Sequence, residues 1–256
     1  MKKTLFLVSS AINTSFDNSE QDIENEKIRI QETLSTVNSI NSCYEDVEIW
    51  LLDSGKKEVD ARYYDYFPSN FRLFHFWNDP YIKTISHESK EYASKMILER
   101  NISQDYRNQL EVCYIKSLTE SYVFKTMINC NNFQDYNSVI KISGRYCLLP
   151  THEKQNFLNR GKYTFSKAIR SNQPLCPVDY QYRTFLWGFC PSIQDDVKLV
   201  MSNTYDHLKE SYDKLHVMDL EHSMFHNTKH KIENIYNTKS MGIYARMGNN
   251  NYTFFK

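Results

Sequence analysis

Glycine and proline are scarce in this chain of 256 residues, with 6 of each. Collagen-like and low-complexity disordered chains are rich in one or both, so those classes are excluded. Net charge is missing too: 31 basic residues stand against 31 acidic ones. No global field draws the chain onto nucleic acid or an anionic membrane, although a local basic groove is compatible with a neutral total. The 6 cysteines include no C-x-x-C pair, so spacing gives no support to a zinc site. The apolar run at residues 5–8 is too short for a secretory signal, and polar Asn13, Asp17 and Asn18 soon follow it. The cysteines therefore read as reduced thiols of a cytoplasmic protein. No apolar run approaches the roughly 20 residues of a membrane span. The G-x-G-x-x-G and G-x-x-x-x-G-K-S/T patterns are absent, which leaves dinucleotide and P-loop readings without their fingerprint.

What is present is alternation of short apolar strands with amphipathic helices. Residues 5–9 read as a buried strand. Residues 20–40 read as a helix, with Ile23, Ile30, Leu34, Val37 and Ile40 near one face. Residues 47–52 form a second apolar run, closed by Asp53-Ser54-Gly55. Strand, helix and strand within about 55 residues predict a βαβ unit and a parallel sheet. Further strands are predicted at 71–76 and 138–142, and one or two within 180–189. Helices are predicted at 90–100, 111–129, 193–215, 220–227 and 232–236, and strand with loop at 241–255. The expectation is an open, mostly parallel α/β sheet flanked by helices, with its ligand site beyond the carboxyl ends of the strands.

Three strand ends carry polar residues that a buried sheet does not require. Ser9, Ser10, Asn13 and Thr14 either meet a nucleobase or ribose, or merely turn the chain and cap the next helix. Asp53 either accepts hydrogen bonds from a ribose or base, or forms an ordinary Asx turn. The third is Lys141-Ile-Ser-Gly-Arg-Tyr146. There Gly144 allows close approach of backbone to a ligand, Arg145 offers a planar fork for phosphate, and Lys141 adds a second charge.

Ser10-Ala11-Ile12-Asn13-Thr14, the helix pattern at 31–40, Thr119-Glu120 and the hexapeptide at 141–146 together resemble a group of glycosyltransferases from bacteriophage and bacterial polysaccharide loci. The resemblance runs from about residue 5 to about 150, with an echo at 242–248. It implies a GT-A-like fold and one transferase domain. Residues 1–150 would hold the nucleotide-sugar donor, a UDP-sugar first among the choices, and 151–256 the acceptor. GT-A enzymes carry Asp-x-Asp at the central strand end, holding a divalent metal. Here Ser143-Gly144-Arg145 stands in that place, with no carboxylate. The expectation is that no metal binds, and that Arg145, with Lys141 or Arg246, carries the diphosphate charge instead.

An acid–base group is also needed, and Glu221-His222 in the acceptor half is the choice. His222, His226 and His230 are spaced by four, which places them on one helix face as an acceptor-facing surface or a metal site. Asp195-Asp196 reads as charge at a helix N-terminus or as a displaced metal pair. Tyrosines 63, 64 and 66 read as an acceptor wall or as packing under a loop. Relatives of this kind imply a hydroxylated or hydroxymethylated cytosine in phage DNA as acceptor. Lys154, Arg160, Lys162, Lys167, Arg170, Lys229, Lys231 and Lys239 would then track phosphates. A surface polysaccharide or glycan is the other acceptor, and a non-catalytic binding protein on a degenerate transferase fold is the reading from a different class.

Overall fold

The strand β1 (Lys3–Ser10) pairs in parallel with β2 (Val47–Asp53) on one side and with β4 (Tyr136–Ser143) on the other. Successive side chains of a strand point to opposite faces. Leu5 and Leu7 therefore join one hydrophobic cluster and Phe6 and Val8 a second, all at most 1% exposed. A strand buried on both faces needs such a continuous apolar run, and helices must cover both sides. Each fully buried side chain of this kind contributes about 1.5–3 kcal/mol. The computed structural model describes residues 2–13, 20–158, 161–238, 241–247 and 250–252.

Between β1 and β2 runs α1 (Glu20–Cys43), with Glu20 and Asp22 in its first turn, where they complement the helix dipole. Its buried face, from Ile30 through Val37 to Ile40, covers the Phe6 side of the sheet. After β2 come β3 (Phe71–His75), α2 (Pro80–Glu99) and α3 (Arg107–Cys130). The helix predicted at 90–100 begins ten residues earlier. Asp79 accepts hydrogen bonds from the backbone N–H groups of Tyr81 and Ile82, and Pro80 occupies the first helical position. Past β4 lie β5 (Tyr146–Leu148), β6 (Tyr163–Ser166), β7 (Ile169–Arg170), β8 (Tyr180–Gln181) and β9 (Leu186–Phe189). The chain continues through α4 (Gln194–Asp213), α5 (Leu220–Thr228), β10 (Ile235–Thr238), β11 (Ile243–Met247) and β12 (Asn250–Tyr252).

The seven-stranded central sheet has the order β10-β6-β9-β4-β1-β2-β3. The four strands β1 to β4 are mutually parallel, and only β9 runs against its neighbours β4 and β6. This is the expected open, mostly parallel α/β sheet. Residues 235–238 correct one helix expectation: after a short 3-10 turn the chain joins the sheet edge beside β6. Among the described residues no helix is long and apolar enough to cross a membrane.

Candidate functional site

The carboxyl ends of β1, β2 and β4 are stitched together by backbone. Gly144 N–H donates to Ser9 O at 2.7 Å, Ser54 N–H to Ser10 O at 2.9 Å, and Lys56 N–H to Asn13 O at 2.7 Å. Asp53 is fully buried, and its Oδ1 accepts from Ile12 N–H at 2.9 Å and Gly55 N–H at 3.3 Å. Asn13 donates its side-chain amide to the carbonyls of Lys57 and Glu58. Both residues shape the loops around the strand ends. Asp53 keeps one oxygen spare: Oδ2 is buried and has no hydrogen-bond partner. It faces the equally unpartnered Nδ1 of His75 across 3.8 Å, too far for a hydrogen bond. His75 Nε2 is paired with Tyr64 Oη at 2.9 Å. Tyr64 lines an open cleft of about 550 Å³ between α1 and the 57–64 loop, with Glu26, Val59 and Arg62 on its wall. Of the aromatic run, Tyr63 is buried in the core and Tyr66 is exposed, so these residues split between packing and surface.

Lys141 corrects its predicted role. Its side chain leaves β4 on the α3 side, is 2% exposed, and spends its donors inside the protein. Nζ donates to Glu120 Oε1 at 2.6 Å, Thr184 O at 2.7 Å and Ser143 Oγ at 2.9 Å. An ammonium has three donors, and all three are used, so Lys141 offers none to a diphosphate. Ser9 Oγ also donates to Glu120 Oε1, at 3.1 Å. Burial pushes the Glu120 carboxyl up, but the Lys141 and Lys116 charges outweigh it and hold it below the usual carboxylate range.

Arg145 is exposed just past this junction, while Gly144 is buried against Ser10. Ser10 Oγ in turn lies 3.2 Å from Thr33 Oγ1 of α1. Thr14 lies outside the described residues, and so does the side chain of Arg246.

Glu221 reaches the same edge from α5. It is half-buried, and its Oε1 accepts from Thr184 Oγ1 at 2.8 Å. Thr184 thus touches Lys141 with its carbonyl and Glu221 with its hydroxyl. Burial and the neighbouring Asp219 charge raise the Glu221 carboxyl above its ordinary range, against the pull of Lys116. Lys116 is exposed on α3, and the nearby Glu221 charge raises its proton affinity. Tyr146 feels both Lys116 and Arg145, and its ring stacks on Phe185 at 4.9 Å. Arg145, Tyr146, Lys116 and Glu221 therefore share one neighbourhood.

His222 corrects the other half of its pair. It is fully buried, with Nδ1 2.5 Å from Asp219 Oδ1 and Nε2 2.6 Å from Ser171 Oγ. Both ring nitrogens are engaged, so it positions the start of α5 and does not face an acceptor. The spaced histidines do not share an open face either. His226 packs on His207 at 4.2 Å, and His230 falls after the end of α5. Asp195 and Asp196 sit in the first turn of α4, where Asp196 binds Lys231 and Tyr163.

Metal ligation at the β4 end fails on the chemistry of the donors present. The strand end offers a hydroxyl and a guanidinium, and Glu120 is already engaged by Lys141. Among the described residues no group of three or more His, Cys, Asp or Glu side chains is placed to hold a metal ion.

The expected basic groove is divided in space. Lys162 precedes β6 and Lys231 pairs with Asp196, at the end of the sheet opposite the site. Lys167 and Arg170 follow β6 on the site side and are exposed. Arg160 and Lys239 lie outside the described residues.

The fold has a counterpart among solved structures. Core-mannan synthase A from Aspergillus fumigatus, in an Mn/GDP form, overlays with a TM-score of 0.63 over 96% of this chain and 75% of its own, at 7% identity. The chain has a GT-A-like α/β fold, as the resemblance implied. Looser overlays link mouse xyloside xylosyltransferase 1 (TM-score 0.44, 8% identity, 93% of this chain and 84% of that one). The glycosyltransferase GlyE of Streptococcus pneumoniae is similar at TM-score 0.46 and 6% identity, over 93% of this chain and 45% of its own. No protein-family model and no curated protein sequence matches the chain.

Proposed function

We propose that this protein is a glycosyltransferase that moves a sugar from a nucleotide-sugar donor to a hydroxyl acceptor. The observation that carries the reading is the convergence, at one sheet edge, of the Asp53 loop, the exposed Arg145 and the half-buried Glu221. The buried Asp53 carboxylate ties Ile12 and Gly55 together and so fixes the loop against which the base or ribose would lie. Arg145 meets the diphosphate. In the reaction the acceptor oxygen bonds to the anomeric carbon as the carbon–oxygen bond to the diphosphate breaks. The acceptor proton passes to the Glu221 carboxylate, and the nucleoside diphosphate leaves with the charge that Arg145 stabilises. A raised carboxyl proton affinity suits that role, since a stronger base takes the proton more readily.

The proposed chemistry uses fixed cations in place of a metal. Transfer that persists in EDTA supports this, and complete loss restored by Mn²⁺ or Mg²⁺ overturns it. UDP-sugars are the first donors to test, with GDP-sugars beside them because GDP is named with the fungal structure. A thermal-shift panel of nucleotide sugars reads donor binding directly, because a ligand that binds the native state raises the melting temperature. No shift with any donor favours a non-catalytic binding protein.

For the acceptor, the proposal is a hydroxylated or hydroxymethylated cytosine in DNA. It rests on the resemblance and on Lys167 and Arg170, exposed on the site side of the sheet. A base inside a duplex must be flipped out to reach Glu221. Sugar transfer to modified DNA, with binding that weakens steeply in salt, supports this acceptor. Transfer to a glycan and none to DNA replaces it.

A further inference from the structure

A second guanidinium points toward the strand junction that carries Arg145, through Thr33, Ser10 and Gly144, and the transferase reading so far leaves it without a role. Arg29 lies about two and a half turns into α1, one turn before Thr33 on the same helix face. Thr33 meets Ser10, and Ser10 lies under Gly144, so that face is turned toward the junction of β1 and β4. Farther along, Ser39 Oγ accepts from Leu148 N–H at 2.9 Å and fixes α1 against β5. The Arg29 side chain is 30% exposed and pairs with Glu32 at 3.3 Å. Burial first, and then the like charge of Arg145, lower its affinity for its proton. Two guanidiniums near enough for their charges to act on each other, with Glu32 pairing, among the described residues, only with Arg29, form a place that favours a multivalent anion.

We propose that Arg29 and Arg145 act together as a clamp for the two phosphates of a nucleoside diphosphate, held across the Ser10–Gly144 contact. This deepens the transferase reading and rests on it for the identity of the nucleoside. A guanidinium presents a planar pair of N–H donors that matches two phosphate oxygens, and one arginine for each phosphate matches the charge of a diphosphate better than that of a monophosphate. Arg29 would hold the donor in place, and Arg145 would share the charge that grows on the leaving group. Neither task calls on the buried Lys141.

The test is calorimetric titration, in EDTA, of UDP, UMP and inorganic pyrophosphate into the wild type, Arg29→Ala, Arg29→Lys and Arg145→Ala. The clamp predicts that Arg29→Ala and Arg145→Ala each weaken UDP and pyrophosphate about tenfold to a hundredfold. UMP should change about twofold or less in Arg29→Ala, and Arg29→Lys should recover part of the loss. Far-ultraviolet circular dichroism and melting temperature confirm that each variant is folded. Unchanged UDP affinity in Arg29→Ala overturns the clamp, as does an equal loss for UMP and UDP. Wild-type protein that binds pyrophosphate but no nucleotide keeps the clamp and removes the nucleotide-sugar reading. Wild-type protein that binds none of the three removes both.

Discussion

Lys141 Nζ lies 2.6 Å from Glu120 Oε1, joining the central strand β4 to α3 beneath the candidate site. Ser143 and Thr184 take the remaining two Lys141 donors, and Ser9 donates a second hydrogen bond to Glu120 Oε1. Removing one member of a buried, hydrogen-bonded pair leaves the other charge uncompensated, at about 3–5 kcal/mol. Lys141→Met is expected to lose about that much stability in urea unfolding. The double variant Lys141→Met/Glu120→Leu, which leaves neither charge behind, should recover most of the loss. A loss under about 1 kcal/mol for Lys141→Met, or a double variant no better than the single, contradicts this account of the pair.

Gly144 is needed for space. A Cβ there would lie 3.1 Å from Ser10 Cβ and 3.2 Å from both Ser10 Oγ and Ser9 O. Ser9 O is held by the Gly144 N–H itself, so the neighbours have little room to yield. Gly144→Ala is expected to cost about 1–3 kcal/mol by overpacking and to displace Arg145. Chemical unfolding and UDP titration should both show a loss. Wild-type values in both would mean that the β4 end is not the tight junction described.

The His222 imidazole gives a dependence on pH. Burial lowers its proton affinity, but the hydrogen bond to Asp219 and the charge of that carboxylate, with a contribution from the neighbouring Cys176, outweigh burial and bring its pKa up to about 9. The ordinary value is 6.5, so the folded state holds this proton more tightly than the unfolded chain. The resulting stability is fully present below 6.5 and is lost as pH rises through about 9. Unfolding free energy should fall across that window by on the order of 1–3 kcal/mol, and His222→Gln should remove most of the slope. An identical slope in His222→Gln contradicts the assignment.

The sheet was legible in the chain because its strands are short, apolar and closed by polar turns. β1, β2 and β4 fall where their hydrophobic runs fall, and the loops carrying Asp53 and Arg145 lie at their carboxyl ends as expected. The direction of Lys141 was not legible. Alternation along a strand separates Lys141 from its neighbours but does not say which face holds Glu120, 21 residues away on α3. Arg29 and Lys116 were missed for a similar reason: each reads locally as one more charge on a helix surface, and tertiary packing alone brings them to the strand ends. The start of α2 was legible and overlooked, because Asp79-Pro80 carries both the cap and the first-turn proline. For residues 235–238 the helical reading failed because a sheet edge beside β6 was available to pair with them.

The most direct test of the central claim measures nucleoside diphosphate released from a panel of UDP- and GDP-sugars, by wild type and Glu221→Gln, with acceptor present. Glutamine keeps the side-chain length and the hydrogen-bond acceptor for Thr184 while removing the base. The account predicts acceptor-dependent release by the wild type, and a roughly 100-fold or greater loss in Glu221→Gln with UDP affinity unchanged. No release from any donor by the wild type, or release by Glu221→Gln at the wild-type rate, would contradict it.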